Sequence, residues 1–415
     1  MANSKFITQL LRLTGMKVVA FWFGDRNRQL CLSVKPFKTG CRCPECGRRG
    51  KIKRHMPSAR TWRDVCVAGR QVLLYYCPKE ITCPTHGRTQ EEIPWADPHA
   101  RITHRLEFLV VVHAQIMTQK AACKLLHLAQ STFSDILHRT IERARDGHKI
   151  RGLKTVGVDE ISYRRRRKYA TIVYDLERSR VIWVGKGKGR ESVDQFFEHS
   201  LSDYQRKRIL WASCDMSEAY IGAIKHHCPN AKLVLDRFHI VKLLQAAVDE
   251  VRKQQWRILT GDERKAIKGL RWILYKHPSN RTKEDKDILK QLAKGNRRIM
   301  RAITLKDEFE RFWTYKTPWG ALRFFKRWST TALKSRLEPI RSFVHTMRKH
   351  LPDVITFGES GGLTNAVAEG LNRIIRMVKN RASGFQSFEA FSDLIYLTIG
   401  DVDIPAQFPA KERTI

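Results

Sequence analysis

L-K-T-V-G-V-D-E at Leu153–Glu160 and I-L-W-A-S-C-D at Ile209–Asp215 open and close the stretch that organises the chain. Each is a short apolar run ending on a carboxylate, and each predicts a strand: Leu153–Val158 before Asp159, and Ile209–Cys214 before Asp215. Between them, Tyr169–Asp175 (Y-A-T-I-V-Y-D) and Arg180–Val184 predict two further strands, separated by the polar turn Leu176–Ser179. A helical pattern runs from Ser192 to about Lys207, with Ser192 and Gln195 at capping-box spacing. A short helix, Glu218–His227, leads to a fifth strand, Ala231–Leu235, and a long helix starts near Phe238.

Three strands in meander, then helix, strand, helix, strand, is the order of the ribonuclease H-like fold. Side chains at the ends of neighbouring strands in such a sheet converge on one edge. Asp159 and Asp215 are therefore expected side by side, although 215 − 159 = 56 positions separate them. Two adjacent carboxylates repel unless a cation lies between them, which points to divalent metal. Taken singly, each is equally an ordinary strand-end turn residue.

The 415 residues suffice for about two to four domains. A formal charge of +37, from 78 basic and 41 acidic residues, exceeds what solubility requires and points to a polyanionic partner, nucleic acid above all. No apolar run reaches membrane-spanning length and no signal peptide opens the chain, so the expectation is a soluble, intracellular protein without a membrane partner. Of ten cysteines, Cys41, Cys43, Cys46, Cys66, Cys77 and Cys83 crowd the first quarter, which favours metal over disulfides. Cys31, Cys123, Cys214 and Cys228 stand alone in apolar surroundings and are expected as packing residues.

Met16–Phe23 and Gln29–Lys35 flank G-D-R-N, a hairpin signal. The knuckle C-R-C-P-E-C-G follows, and a strand over Gln71–Tyr76 delivers C-P-K-E-I-T-C-P-T-H-G. Tetrahedral zinc takes two ligand pairs from two loops, giving Cys43, Cys46, Cys77 and Cys83, with Cys41 and His86 as alternates. Arg48, Arg49, Lys51, Lys53 and Arg54 supply a basic surface beside it. I-P-W-A-D-P at 93–98 reads as a linker. Three helices follow, at Arg105–Met117, Gln119–His127 and Ser131–Arg145. The tight turn Leu128–Gln130 gives them the look of a helix-turn-helix, with a plain helical hairpin as the other reading. Gln130, Ser131, Thr132, Asp135 and Arg139 would face a groove. The basic run Arg164, Arg165, Arg166, Arg167 and Lys168 follows Asp159 closely enough for phosphate contact, although most such runs are solvated hairpin tips. G-K-G-K-G-R at 185–190 lacks the phosphate-loop pattern and reads as a flexible turn.

From Ile240 to about His350 the pattern is helical, and Trp256, Trp272, Trp313, Trp319 and Trp328 at helical spacing are expected in the core. After G-E-S-G-G-L (358–363), Thr364 is a fair N-cap for T-N-A-V-A-E-G-L-N-R-I-I-R-M-V-K. Val367, Leu371, Ile374 and Val378 form its apolar face, and Asn365, Glu369, Asn372 and Arg376 recur on another. Alone, Glu369 reads as an exposed helix residue. It is also the third carboxylate that a two-aspartate metal site lacks, better fixed than Glu359 in its glycine-rich turn.

V-D-E, C-D-M-S, L-D-R-F-H and T-N-A-V-A-E-G-L-N-R, with G-F-Q-S-F-E-A-F downstream, resemble the DDE transposases of bacterial insertion sequences, most nearly the ISL-three type. The resemblance covers nearly the whole chain. It implies a multidomain α+β architecture: a zinc-ribbon DNA-binding domain (1–95), a helix-turn-helix (96–150), a ribonuclease H-like catalytic domain (151–240 and 356–415, the latter with the Glu-bearing helix) and an all-helical insertion (241–355). It implies the catalytic triad Asp159, Asp215 and Glu369 holding two Mg²⁺ or Mn²⁺, besides one structural Zn²⁺. Asp236 and His239 resemble an ancillary C/D-x-x-H element of related mutator-like transposases, with Asn365 and Asn372 as further neighbours. The second cysteine knuckle departs from the family pattern in its wide Cys77–Cys83 spacing and extra His86. The implied reaction is cleavage at the inverted-repeat ends and transfer of the 3′-hydroxyl ends to target DNA, with metal ions roughly 3.5–4 Å apart. It also implies a homodimer or larger synaptic complex on double-stranded DNA and a cytoplasmic, nucleoid-associated place in a bacterium. Two other readings are a zinc-ribbon and helix-turn-helix regulator without catalysis, and a ribonuclease H-like nuclease or resolvase that cuts without joining.

Overall fold

The structure, a computed structural model, describes residues 2–11, 13, 15–36, 41–146, 149–164, 168–261, 264, 267–363, 366–400 and 402. The chain divides into two compact units, Met1–His148 with Val378–Ile415, and Lys149–Met377.

In the first unit, helix α1 (Ala2–Leu10) precedes strands β1 (Met16–Gly24), β2 (Gln29–Pro36), β3 (Lys51–His55), β4 (Arg60–Val67), β5 (Arg70–Tyr76), β6 (Lys79–Cys83) and β7 (Gly87–Gln90). They form two sheets, β1-β2-β5-β4 and β3-β6-β7. The expected hairpin joins β1 and β2, its turn residues Asp25, Arg26 and Asn27 all at positive φ. Met16, Leu32, Trp62, Leu74 and Trp95 build the core of the larger sheet, while Cys41, Cys43, Ile81 and Cys83 make a separate small cluster beside the three-stranded one.

Helices α2 (His104–Ile116), α3 (Gln119–Leu126) and α4 (Gln130–Asp146) follow. Thr103 and Thr118 cap α2 and α3, and α3 ends at His127 in the left-handed conformation, which turns the chain sharply into α4. The C-terminal helix Phe388–Ile399 packs on α2 and α4. The His138 ring meets the Asp393 carboxylate at 3.0 Å, the Arg145 guanidinium lies 3.9 Å over the Tyr396 ring, and Gln115 donates to the Leu397 carbonyl at 3.2 Å. The helix accordingly falls within the first unit. Phe391, Ile395 and Leu397 are buried, and these contacts place their helix with the helix-turn-helix.

In the second unit, β8 (Thr155–Arg164), β9 (Lys168–Asp175) and β10 (Arg180–Lys186) are an antiparallel meander, and β11 (Trp211–Cys214) and β12 (Lys232–Leu235) extend the sheet in the order β10-β9-β8-β11-β12. β11 is parallel to both β8 and β12. All five expected strands are present, but β8 runs past Asp159 to Arg164 because it pairs with β9 along its full length. The expected single helix from Ser192 is two, α5 (Arg190–Ser200) and α6 (Asp203–Lys207). Ser192 lies inside α5, buried and donating to the Lys186 carbonyl, and the capping box is formed by Ser202 and Gln205 at the start of α6.

Helices α7 (Glu218–His227) and α8 (Arg237–Ile258) flank β12, and α9 (Leu270–Tyr275), α10 (Lys283–Gly295), α11 (Arg297–Phe309), α12 (Pro318–Lys334), α13 (Glu338–Val354) and α14 (Thr356–Glu359) continue the chain. Phe309, Phe312, Phe325, Trp328 and Phe343 stack into one aromatic core. Trp313 and Trp328 are buried as expected, whereas Trp272 and Trp319 are 72% and 68% exposed. Arg271 and Arg323 lie over those two rings, which helical spacing assigned to the core. Helix α15 (Ala366–Ala382) buries Ala368, Leu371 and Ile375, so Ile375 and not Ile374 completes the apolar stripe. Thr364 and Asn365 lie outside the described residues.

Candidate catalytic centre and metal-binding cluster

Sheet register brings the aspartates together. β11 pairs with β8 through Trp211–Thr155, Ala212–Val156 and Ser213–Gly157, and the same offset two residues on sets Asp215 level with Asp159. β12 pairs with β11 through Cys214–Leu235, which sets Asp236 level with Asp215. The Asp236 N–H donates to the Cys214 carbonyl at 3.0 Å, continuing that ladder. Continued one residue past the ends of β11 and β12, these registers set Asp215 and Asp236 level with Asp159, at spacings of about 4.8 Å between strands.

Hydrogen bonds hold each of them. Asp159 accepts from its neighbour's N–H (Glu160) at 2.7 Å and from the Asn372 amide at 2.7 Å. The Asn372 carbonyl in turn accepts from the buried Tyr174 hydroxyl at 2.6 Å. That bond fixes which way the amide faces, with nitrogen towards Asp159. Asp215 accepts from the Ser217 N–H at 2.9 Å. Asp236 caps α8 through the Phe238 N–H at 3.1 Å and meets His239 Nδ1 at 2.9 Å.

Glu369, on α15, shares the field of this cluster. Burial raises its carboxyl pKa, and the charges of Asp236 and Asp159 add to the rise while His239 opposes it. Burial likewise raises Asp159; the Glu160 N–H, Asn372 and His239 oppose that, and Asp215 adds to it. The Asp236 hydrogen bond raises the His239 imidazole. The oxygens of Asp159, Asp215 and Glu369 do not all fall within 4.8 Å of one another among the described residues, so the set is wider than a single-ion cage. Asp159 and Glu369, whose ionisation is opposed by burial and by neighbouring carboxylates, make with Asp215 and Asp236 a hard-oxygen donor set that suits a divalent cation. Sequence reading missed Tyr174, because an aromatic residue in a buried strand carries no signal of what its hydroxyl meets.

The cysteine cluster is tighter. Cys43, Cys46, Cys83 and His86 bring one donor atom each within 4.8 Å of all the others. Cys43 Sγ lies 3.5 Å from His86 Nδ1, Cys46 Sγ 3.5 Å from Cys83 Sγ, and Cys83 Sγ 3.9 Å from His86 Nδ1. A tetrahedron with metal–sulfur bonds of about 2.3 Å has edges of about 3.8 Å, so these spacings fit zinc. The backbone N–H of His86 holds the Cys83 thiol down at about 6, favouring the thiolate that a metal binds. Cys77 is outside the group. It sits exposed at the end of β5, and the fourth position goes to His86 because the β6–β7 turn folds that ring back over Cys83. Cys41 is buried beside it, its thiol raised by burial and contacted by Lys79.

Asp97, His104 and Glu107 form another acidic group, but it is an ion-pair network. Arg139 and Arg143 both bond the buried Glu107, and Arg143 also bonds Asp97. Burial alone would raise Glu107; the His104 hydrogen bond and the two guanidinia overcome it and hold the carboxyl at about 2. Arg139, expected to face a groove, is exposed and pairs with Glu107. Gln130 and Ser131 are exposed at the start of α4 and Thr132 is partly so. Arg49 and Lys51 are exposed, and Arg48 is exposed while bonding Thr85. Arg164 and Lys168 end β8 and begin β9, and Arg165, Arg166 and Arg167 lie outside the described residues.

A family model described as a transposase, of the ISL3 DDE type, matches residues 156–395, and one described as the helix-turn-helix domain of transposase family ISL3 matches residues 91–141. The chain is 28% identical over 401 residues to the transposase for insertion sequence element IS1001 of Bordetella parapertussis, covering 94% of this chain and 95% of that protein. It is 27% identical over 382 residues to the transposase for insertion sequence element IS1557 of Mycobacterium tuberculosis, covering 86% and 85%.

Proposed function

Since the chain belongs to the ISL3 family of transposases, we propose that it binds the inverted-repeat ends of an insertion sequence, cleaves them and joins the freed 3′ ends to target DNA. The observation that carries this reading is the common register of Asp159, Asp215 and Asp236 with Glu369 in their field. The strand order of the second unit, 3-2-1-4-5 with an antiparallel meander and two parallel additions, supports a ribonuclease H-like catalytic domain.

Asp159, Asp215 and Glu369 would hold Mg²⁺ or Mn²⁺, which when bound supplies Lewis-acid stabilisation of charge on a phosphodiester. Asn372, oriented by Tyr174, keeps the Asp159 carboxylate in place and favours its ionised form. Asp236 orients the His239 ring, whose raised pKa favours an imidazolium beside the developing charge. In the cleavage step a water oxygen attacks phosphorus and the 3′ oxygen leaves as a hydroxyl. In the joining step that hydroxyl attacks a target phosphodiester and displaces a target 3′ oxygen. Cys43, Cys46, Cys83 and His86 would hold one structural zinc in the N-terminal unit. Two ends joined in one event call for a dimer or larger complex on double-stranded DNA.

The test is joining of an oligonucleotide bearing a 3′-hydroxyl to plasmid DNA in Mg²⁺. We expect wild-type protein to join strands and Asp159→Asn to bind DNA without cutting it. Cutting without joining would support a nuclease. Unchanged cleavage by Asp159→Asn would overturn the assignment of the centre.

A further inference from the structure

A cavity of about 320 Å³ adjoins the carboxylates; Asp236 and Glu369 line it together with Phe238, Val241, Gln245 and Tyr275 and with charged residues that include Arg237, Lys276 and Glu310. We propose that it receives one unpaired nucleobase of the DNA strand whose phosphate lies at the carboxylates, stacked on Phe238; this rests on the phosphoryl-transfer reading of that centre.

Three observations carry the assignment. The cations at its rim are already matched: Arg237 pairs with Glu310 at 3.2 Å, Lys276 with Asp285 at 2.6 Å, and Lys306 with Asp307 at 3.3 Å while donating to the Leu274 carbonyl at 2.9 Å. The cavity therefore has no unmatched lysine or arginine among the residues lining it and does not suit a second phosphate. Between those paired charges the remaining walls suit a planar group. The Phe238 ring is 55% exposed and meets His239 edge-on at 5.7 Å, and Val241, Gln245 and Tyr275 are half-buried. Its size lies at the lower end of small-ligand sites, roughly 300–1,000 Å³, enough for a nucleoside and too small for a base pair. An aromatic face accepts any base, so the site would add affinity near the reacting phosphate with little sequence preference.

The full chain is mixed in Ca²⁺ with a short single-stranded oligonucleotide carrying 5-iododeoxyuridine next to its 3′ end, irradiated, and its adducts mapped by mass spectrometry. We expect adducts on Phe238 or Tyr275, and a roughly tenfold weaker affinity for that strand in Phe238→Ala, the loss of one stacked base. Phe238→Tyr, which keeps the ring, should restore affinity and so separates stacking from misfolding. Adducts confined to other residues, or equal affinity in Phe238→Ala, would overturn the proposal. If at the same time Asp159→Asn is inert in cleavage, the catalytic reading survives without the pocket. If Asp159→Asn cuts normally, the catalytic reading falls as well.

Discussion

Asp159 shows how little of a buried carboxylate's behaviour resides in the residue itself. Its pKa is raised by burial and by Asp215, and lowered by the Glu160 N–H, Asn372 and His239. A raised pKa means the proton competes with metal at a higher pH than an ordinary aspartate allows, so cleavage should fail on the acid side above the usual aspartate range. Tyr174→Phe removes the bond that keeps the Asn372 amide facing Asp159. We expect Tyr174→Phe to fold, to lose about tenfold or more in cleavage rate, and to shift the acid limb upward, since one interaction favouring the carboxylate is weakened. An unchanged acid limb in a pH–rate profile would show that the phenol serves packing alone. Glu369→Gln, on the exposed side of α15, should abolish cleavage while leaving DNA affinity within about twofold, measured by gel shift at fixed salt.

Two elements of the N-terminal unit behave differently from their sequence patterns. The β6–β7 turn brings His86 to Cys43 and Cys83. Metal analysis of the purified protein should return one zinc per chain, retained in Cys77→Ser and lost in His86→Ala, with chelation unfolding the three-stranded sheet. The helices α2 and α4 are tied by Glu107 to Arg139 and Arg143. A carboxyl held at about 2 contributes stability that is full above its unfolded value near 4.3 and is lost as pH falls towards 2. Circular dichroism should accordingly show this helical region loosening between those pH values. Arg139→Ala should cost about 0.5–1.5 kcal/mol of stability, since Glu107 keeps Arg143 and His104 as partners.

At the scale of the whole molecule, the charge of +37 and the division into two units set the remaining expectations. The C-terminal helix Phe388–Ile399 buries Phe391 and Ile395 and completes the packing around α2 and α4. A fragment ending at residue 150 would expose that surface. We expect it to aggregate or bind DNA weakly, and a peptide of residues 378–402 to restore its thermal transition. Replacing Arg164–Lys168 with serine should lower affinity and flatten its dependence on salt, each lost phosphate contact reducing the slope by about 0.9.

The sequence by itself determined the order of strands and helices, because alternation between β-branched apolar runs and helical periodicity is local and survives in any tertiary setting. It also marked Asp159, Asp215 and Glu369 as the acids to watch, and the cysteine knuckles as a metal framework. Only the tertiary structure decided which donors come together. Register across β8, β11 and β12 is a long-range property, and it alone sets Asp236 level with the other two aspartates. His86 replaces Cys77 because a turn's direction outweighs the spacing of thiols along the chain. Ile375 replaces Ile374 because a helix rotates to satisfy its best buried contacts, and a single-residue shift in periodicity is invisible until those contacts exist.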